Sequence, residues 1–217
     1  MRILVAGSLA VAWALGFTAL AAAAEGDPPP AVGDAAKGKP LFPICSACHG
    51  ALGEGKLAMN APRIGGQLDV YTVKQIHAFQ DAIRGADPRD TYGAIMRPMA
   101  AQLASPDAVE NIAAYVATLE PPTSERTLQG DPTKGQVTFA ICAACHGSNG
   151  MGNRALKAPR LAGQHDWYIQ RQIQNFRDKV RGAHKLDRLG RQMQPMAALL
   201  QDKDAITDVA AYIASMH

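Results

Sequence analysis

The sequence contains an internal repeat: one segment occurs twice, with a constant offset of 97 residues. Residues 34–119 align without a gap with residues 131–216, and 41 of the 86 aligned positions are identical. Chance cannot produce this agreement, so we expect two domains of the same fold, over residues 34–119 and 131–217. The connector, residues 120–130, contains two prolines followed by Thr and Ser and is typical of an extended linker.

The start of the chain has the features of an export signal. Arg2 is followed by residues 3–24, which carry no charge and end in four alanines before Glu25. A short basic start, an apolar stretch and a small-residue exit are typical of a secretory signal peptide. We therefore expect residues 1–24 to be removed, residues 25–33 to form a flexible leader, and the mature protein to be periplasmic. The alternative is an uncleaved membrane anchor, because about 20 apolar residues just suffice to span a bilayer.

The hydrophobic pattern inside each copy is helical, so the predicted fold class is all-α. Asp34 and Asp131 are good N-cap residues for a first helix that runs into a cysteine motif. A second helix has apolar residues at helical spacing and ends at a glycine shared by both copies. A third helix is predicted to begin at Ser105 and at Asp202.

Each copy carries the motif Cys-x-x-Cys-His, which is the attachment signature of c-type haem. Two cysteines three positions apart on a helical turn share one face, so both sulfurs can form thioethers with the vinyl groups along one porphyrin edge. The histidine that follows then points at the iron. The sequence therefore predicts two covalently bound haem c groups. The predicted attachment residues are Cys45, Cys48, Cys142 and Cys145, and the predicted proximal iron ligands are His49 and His146.

Other chemistries use similar cysteine spacing. A thioredoxin-type redox pair needs βαβ surroundings, and no strand is predicted around either motif. A zinc site would need a second ligand pair, but each copy holds only one cysteine pair. An even cysteine count in an exported protein would normally suggest disulfides, but two motifs in register favour haem.

The sixth iron ligand must come from elsewhere in each copy. A methionine thioether is the usual partner of histidine in electron-carrying cytochromes c. Two methionines per copy keep the repeat offset, Met96 with Met193 and Met99 with Met196, and spacing alone leaves the choice within each pair open. No further histidine is shared by both copies, which argues against bis-histidine coordination.

With these motifs the chain resembles cytochrome c4, a family of dihaem proteins with two class I cytochrome c domains. The resemblance covers the chain from about Gly33 to His217. It implies two tandem class I cytochrome c domains related by a pseudo-twofold axis, with the haem propionates close together. It also places the ligand on the first methionine of each pair, which implies Met96 and Met193 as the iron ligands.

The resemblance implies further roles for residues after the motif. Class I cytochromes use a proline carbonyl to accept a hydrogen bond from the histidine's other ring nitrogen, and Pro62 and Pro159 each lie 13 residues past a histidine. Arg63 and Arg160 follow and could pair with haem propionates, or be solvated surface arginines. Three more identical pairs could line the domain interface or the propionate edges, or simply pack: Gln67/Gln164, Tyr71/Tyr168 and Gln75/Gln172.

The predicted function is one-electron transfer and not catalysis, because two six-coordinate irons leave no open position for a substrate. The expected partners are redox proteins: electrons would pass from a quinol-oxidising complex or a dehydrogenase to a terminal oxidase. One alternative is a haem subunit bound to a flavocytochrome-type dehydrogenase. A dihaem peroxidase or a thiosulfate-oxidising cytochrome is a further alternative, but it needs an open or unusual iron ligand.

Charge is distributed unevenly between the two copies. Residues 25–119 have a net charge of −2, and residues 131–217 have a net charge of +5. A basic cluster in the second copy could dock an acidic redox partner, associate peripherally with an anionic membrane, or be an ordinary solvated face. It lacks interleaved aromatic residues, so nucleic acid is not indicated. The cluster consists of Arg171, Arg177, Lys179, Arg181, Lys185, Arg188 and Arg191.

Overall fold

A computed structural model of the chain describes residues 32–216, and within that range the fold is helical apart from turns and two isolated bridges. The predicted signal peptide and residues 25–31 of the predicted leader lie outside the described residues. None of the helices in the described range has the length and hydrophobicity needed to cross a bilayer. The helices of the first copy are α1 (Ala35–Gly38), α2 (Pro43–His49), α3 (Asp69–Gln80), α4 (Thr91–Ala101) and α5 (Ala108–Ala117). Those of the second are α6 (Pro132–His146), α7 (Asp166–Arg177), α8 (Arg188–Ala198) and α9 (Lys203–Ser215).

The two copies share the order of their helices, and the all-α prediction is confirmed. Helices α7 and α8 begin and end 97 residues after α3 and α4. The first helix differs, because α6 is continuous whereas its counterpart is divided into α1, a 3-10 turn and α2. Pro40 and Pro43 stand where the second copy has Val137 and Ala140. Proline lacks the N–H that a continuous helix needs, and its ring clashes with the preceding turn.

Two details differ from the sequence expectation. The segments that carry the methionine pairs, for which no helix was predicted, are helices α4 and α8, whose side-chain N-caps are Asp90 and Asp187. Each of these helices contains an internal proline, a residue that usually breaks a helix, so the sequence pattern does not predict a helix there. The last helix of the first copy begins at Ala108 and not at Ser105, whereas α9 begins at Lys203, directly after its N-cap Asp202.

Each copy buries its own core around the crossing of its first and last helices. The crossing is close, since an added Cβ at Gly135 would lie 2.0 Å from the carbonyl oxygen of Asp208, and one at Gly38 would lie 1.9 Å from that of Asn111. The two apolar clusters share no residue. The first is built around Phe42, Leu103, Val109, Ile112, Val116 and Leu119, and the second around Phe139, Ile169, Leu200, Ile206, Val209 and Ile213.

Candidate functional site

The histidine of each cysteine motif is buried and oriented by a proline carbonyl. His49 and His146 are 6% and 5% exposed and end helices α2 and α6. Nδ1 of His49 lies 2.7 Å from the carbonyl oxygen of Pro62, and Nδ1 of His146 lies 2.9 Å from that of Pro159. A carbonyl oxygen can only accept, so Nδ1 must carry the proton and Nε2 keeps its lone pair.

Both imidazoles are held in the neutral form. Burial lowers the pKa of His49 and of His146, and the hydrogen bond to the proline carbonyl only partly opposes this effect. A neutral imidazole with a bare Nε2 is the form that binds a metal ion. Each half therefore presents one nitrogen donor suited to iron.

A tight loop brings each proline back to its histidine. In the first copy an isolated bridge joins Lys56 to Ala61, and the N–H of Gly55 donates to the carbonyl of His49 at 2.7 Å. Gly55 has a φ of +89°, and a Cβ there would lie 2.7 Å from the backbone carbon of Pro62. The backbone approach that positions the proline carbonyl therefore requires glycine at this position.

The four cysteines are free thiols in the last two turns of α2 and α6. Burial raises the pKa of Cys45 to about 11, and burial together with Cys145 raises that of Cys142 to about 11. The nucleophile of a thioredoxin-type pair has a lowered pKa instead. The raised pKa values of Cys45 and Cys142 therefore do not suit disulfide exchange.

The predicted methionine ligands lie on helices that pack against α3 and α7. Met96 and Met99 are on α4, and Met193 and Met196 are on α8, three positions apart in each case and so on one helical face. Met96, Met99 and Met193 are half-buried, and Met196 is 36% exposed. The assignment of Met96 and Met193 as the ligands stays a prediction.

The two halves dock through reciprocal hydrogen bonds, as expected for a pseudo-twofold arrangement. Gln67 Nε2 donates to the carbonyl of Arg160 at 3.0 Å, and Gln67 Oε1 accepts the N–H of Arg160 at 2.9 Å. Gln164 bonds in the same way to the backbone of Arg63, at 2.7 and 3.0 Å. This part of the interface is therefore built from equivalent residues on both sides.

The side chains of Arg63 and Arg160 lie within this interface. Arg63 Nε donates to Gly65 O, and its Nη1 group reaches the carbonyl of Gly163 in the other half at 3.5 Å. Arg160 Nε donates to Ala162 O at 3.2 Å. Burial and the neighbouring Arg160 charge lower the pKa of Arg63 to about 10. The pairing of these two arginines with haem propionates stays a prediction.

Several polar residues at the interface had no predicted role. Their partners lie about a hundred residues away and differ between the copies, so neither motif nor repeat reveals them. Arg84 and Arg181 meet at the interface. Arg84 had no predicted role, and Arg181 was predicted only as a member of the basic cluster. Other pairs that cross between the halves include Lys74 with Asp187 (Nζ to Oδ1, 3.2 Å), Arg171 with Asn60 (Nη1 to Oδ1, 2.9 Å), and Arg154 with Asp69.

The basic cluster of the second copy does not form one surface. Arg181 is buried, and Arg171 lies in the interface with its guanidinium 4.3 Å from the ring centroid of Tyr92. Arg177 is half-buried and donates to the carbonyl of Leu200. Four members of the cluster remain exposed: Lys179, Lys185, Arg188 and Arg191.

Known proteins with this arrangement are cytochromes. The family model described as cytochrome c matches the chain twice, over residues 35–120 and 132–217. Cytochrome c4 of Pseudomonas aeruginosa is 32% identical over 94% of this chain and 94% of that protein. The chain belongs to the cytochrome c4 family.

The solved structures agree with the family. Reduced recombinant cytochrome c4 from Pseudomonas stutzeri superposes with a TM-score of 0.67 at 27% identity, over 85% of this chain and 100% of that chain. A third relative, the thiosulfate dehydrogenase electron acceptor of Stutzerimonas stutzeri strain A1501, is 29% identical over 82% of this chain and 81% of that protein. The prediction of two tandem cytochrome c domains is confirmed.

Membership of the cytochrome c4 family makes the chain a dihaem electron carrier with two covalently bound haem c groups. The residues of each half fit such a group. Two free thiols on adjacent helical turns suit the two thioethers, and a buried neutral imidazole with a bare Nε2 suits the iron.

Proposed function

We propose that this protein carries single electrons in the periplasm, from a quinol-oxidising complex or a dehydrogenase to a terminal oxidase. One haem c is attached through Cys45 and Cys48, and the other through the two cysteines at the same positions of the second copy, Cys142 and Cys145. His49 and His146 are the proximal ligands, and Met96 and Met193 complete the coordination.

The observation that carries this proposal is the hydrogen bond from each histidine Nδ1–H to a proline carbonyl. This bond fixes the imidazole plane and its tautomer, so that Nε2 does not rotate when the iron changes charge. When bound, each haem c supplies an iron that cycles between the ferric and ferrous states. The rest of the chain keeps the ligands in place, and little movement on reduction keeps electron transfer fast.

The methionine thioether has a separate role. A sulfur ligand raises the reduction potential relative to a second imidazole. Two such sites, one on each side of a hydrogen-bonded interface, allow an electron to enter one half and leave through the other. The interface residues therefore hold the two sites at a fixed separation.

Export is supported by the sequence alone. The segment 1–24 has signal-peptide features. The four exposed cations of the second copy, Lys179, Lys185, Arg188 and Arg191, could dock an acidic redox partner. A partner held by these charges reacts more slowly as ionic strength rises.

A redox titration followed by electron delivery tests the proposal. The exported holoprotein is titrated in its visible spectrum, then reduced and mixed with membranes that contain a terminal oxidase. We expect two one-electron transitions and rapid, salt-sensitive reoxidation. A high-spin ferric spectrum, or a reduced protein that only an added peroxide reoxidises, would support a peroxidase and overturn the carrier proposal.

The relative named as a thiosulfate dehydrogenase electron acceptor favours one second candidate. In that case the electron donor is a thiosulfate-oxidising dehydrogenase and not a quinol-oxidising complex. Stopped-flow reduction of the oxidised protein by each donor separates the two. The faster donor at matched concentration and ionic strength identifies the physiological class.

A further inference from the structure

One loop of the first copy is held by side chains of the second copy near both of its ends. We call residues 54–61 the proximal loop, because this segment leads back to Pro62, whose carbonyl accepts the hydrogen bond from His49. The Nε2 atom of His165 lies 2.9 Å from the carbonyl oxygen of Glu54, 111 residues away in sequence. A carbonyl oxygen can only accept, so Nε2 of His165 donates this bond. The start of the loop is therefore tied to the other half.

Arg171 holds the other end of the proximal loop. Its guanidinium donates to Asn60 twice, from Nη1 to Oδ1 at 2.9 Å and from Nη2 to the carbonyl oxygen at 3.2 Å. These two bonds use the planar fork of arginine, which lysine does not have. Asn60 has a left-handed backbone with a φ of +51°, and it directly precedes Ala61, whose N–H and carbonyl close the loop on Lys56. Arg171 therefore fixes the residue at which the loop turns back toward Pro62.

An aromatic ring supports both of these side chains. Trp167 stands between His165 and Arg171 in sequence, and its ring stacks on that of His165, with centroids 5.3 Å apart and an angle of 22° between the planes. The guanidinium carbon of Arg171 lies 5.0 Å from the centroid of the same tryptophan and 4.3 Å from that of Tyr92 in the first half. A guanidinium within about 6 Å of an aromatic centroid is attracted to the ring. The two side chains that hold the loop are therefore themselves held as one unit.

The first copy lacks the side chains of this unit. Its residues at the three equivalent positions are Leu68, Val70 and Lys74. Leucine and valine have no hydrogen-bond donor in the side chain. Lys74 forms an ion pair with Asp187, the N-cap residue of α8, at 3.2 Å. The first copy therefore cannot hold the loop of the second copy by the same contacts.

The equivalent loop of the second copy, residues 151–158, meets the first half differently. Within the part of the chain that the structure describes, no hydrogen bond from the first half reaches the backbone of this loop, and its contact is made by the side chain of Arg154. The glycines of the two loops show the same difference. A Cβ added at Gly55 would lie 2.6 Å from Nε2 of His165, whereas the three atoms nearest to a Cβ at Gly152 all belong to the second copy. Beyond the glutamine bonds that both halves share, the two loops are therefore supported unequally.

We propose that His165 and Arg171 are positioning residues for His49, so that the second half tunes the proximal ligand of the first haem through contacts that have no equivalent in the other direction. The proposal rests on His49 as an iron ligand, as proposed above. The loop delivers the Pro62 carbonyl to Nδ1–H of His49, and this hydrogen bond makes the imidazole a more basic ligand. A more basic ligand stabilises the ferric state. Loosening the loop should therefore raise the reduction potential of the first haem.

The test is His165→Leu, which introduces the residue that the first copy has at this position. Burial lowers the pKa of His165, so its ring is neutral at about pH 8 and the variant removes no charge. In the reduced, diamagnetic holoprotein, NMR measures the exchange of the Nδ1 proton of each ligand histidine with water. We expect exchange at His49 to be about tenfold faster, because the loop opens more often, and exchange at His146 to be unchanged.

A redox titration of the same samples, followed by NMR so that each haem is assigned to its half, gives a second readout. The ferric-to-ferrous ratio of the first haem at fixed potential should fall about threefold, which is about 28 mV upward for a one-electron couple. The second haem should not shift. His184→Leu, the same change at an exposed histidine, is the control and should leave both haems as they are.

The glutamine variant separates the hydrogen bond from packing. His165→Gln keeps an N–H donor but loses the ring that stacks on Trp167, so it should restore most of the slow exchange at His49. If it exchanges as fast as His165→Leu, the stacked ring and not the bond to Glu54 holds the loop, and the proposal is wrong. Equal changes at His49 and His146 also overturn it, because they would show a general loosening of the interface.

A further variant covers the case in which His165→Leu does not accumulate with both haems. Arg171→Lys keeps the charge, but a single ammonium group cannot replace the fork on Asn60. Exchange at His49 alone should again be faster, and Arg126→Lys in the exposed linker is the control. Unchanged exchange at His49 in Arg171→Lys would contradict the proposal.

The unmodified holoprotein tells a failure of this proposal from a failure of the proposed function. If its reduced spectrum lacks the Nδ1–H signal of a ligated His49, the ligation proposed above is wrong, and this proposal with it. If the signal is present and the variants leave it unchanged, only the support across the interface is wrong, and the electron-carrier function stands.

Discussion

Gln67 holds the backbone of Arg160 with both atoms of its amide group: Oε1 accepts the N–H at 2.9 Å, and Nε2 donates to the carbonyl at 3.0 Å. Gln164 does the same for Arg63. Each glutamine amide therefore forms two hydrogen bonds with the backbone of one residue in the other half, as a hydrogen-bonded pair of residues does in an antiparallel β-ladder. The two glutamines are identical in the repeat and have the same role in both copies.

Loss of either glutamine should weaken the docking of the halves. Gln67→Ala and Gln164→Ala each leave a backbone N–H and a carbonyl at the interface without a partner, which costs about 1–3 kcal/mol. Urea unfolding of the holoprotein measures this loss, and the double variant should unfold in two separate transitions. Gln129→Ala, at an exposed linker position, is the control. A midpoint identical to that of the control would contradict the role of these bonds.

The close helix crossing in each half should not tolerate a larger residue. Gly135→Ala forces a Cβ against the carbonyl of Asp208, and overpacking of this kind costs about 1–3 kcal/mol. Thermal unfolding followed by circular dichroism gives the change, with the neighbouring exposed Gln136→Ala as the control. Equal or higher stability of Gly135→Ala would show that α6 and α9 can separate without loss.

The choice of methionine in each pair has a direct spectroscopic test. Met96→Leu and Met193→Leu should each remove half of the weak red-end band that marks thioether ligation of ferric haem, because the sixth ligand of one iron is lost. Met99→Leu and Met196→Leu should keep the band and change packing only. The reverse pattern would assign the ligands to the second methionine of each pair.

The pair Asp69–Arg154 predicts an acid-sensitive interface. Burial of Asp69 would raise its pKa, but hydrogen bonds from Arg154 and from the N–H groups of Val32 and Val70 outweigh that effect, and the pKa is lowered. A carboxyl with a lowered pKa stabilises the fold above its unfolded pKa of about 3.9, and this contribution is lost as pH falls through the folded value.

The corresponding variant is Asp69→Asn. Near neutral pH it should be less stable than the unmodified protein by about 2 kcal/mol, and the difference should shrink below about pH 4. Denaturant unfolding at several pH values measures this, with the exposed Asp81→Asn as the control. A difference that stays constant down to low pH would mean that the carboxylate charge of Asp69 is not what stabilises the interface.

The repeat and the cysteine motifs predict the helical class, the two domains and the cofactors, because these depend on local spacing and on identity between the copies. The helices that carry the methionines were not predicted, since Pro98 and Pro195 interrupt the pattern. Contacts such as Lys74 with Asp187 could not be predicted either. Each joins residues far apart in sequence and exists only once the halves have docked.

The surroundings of the repeated arginines could not be predicted from the sequence either. Arg63 and Arg84 are both repeated in the second copy, but only Arg63 and its counterpart Arg160 were predicted to pair with haem propionates. The structure distinguishes them, because the Arg63 guanidinium is hydrogen-bonded to carbonyl oxygens whereas Nε of Arg84 is buried without a partner. Burial and hydrogen-bond satisfaction are properties of the folded chain and cannot be deduced from residue identity.

The most direct test of the account is mass analysis of the protein purified after export, both intact and as peptides. We expect the mass of two haem groups added to the chain, one on the peptide with Cys45 and Cys48 and one on the peptide with Cys142 and Cys145. Unmodified thiols in either peptide, or a disulfide within either motif, would contradict the claim that each half binds its own haem.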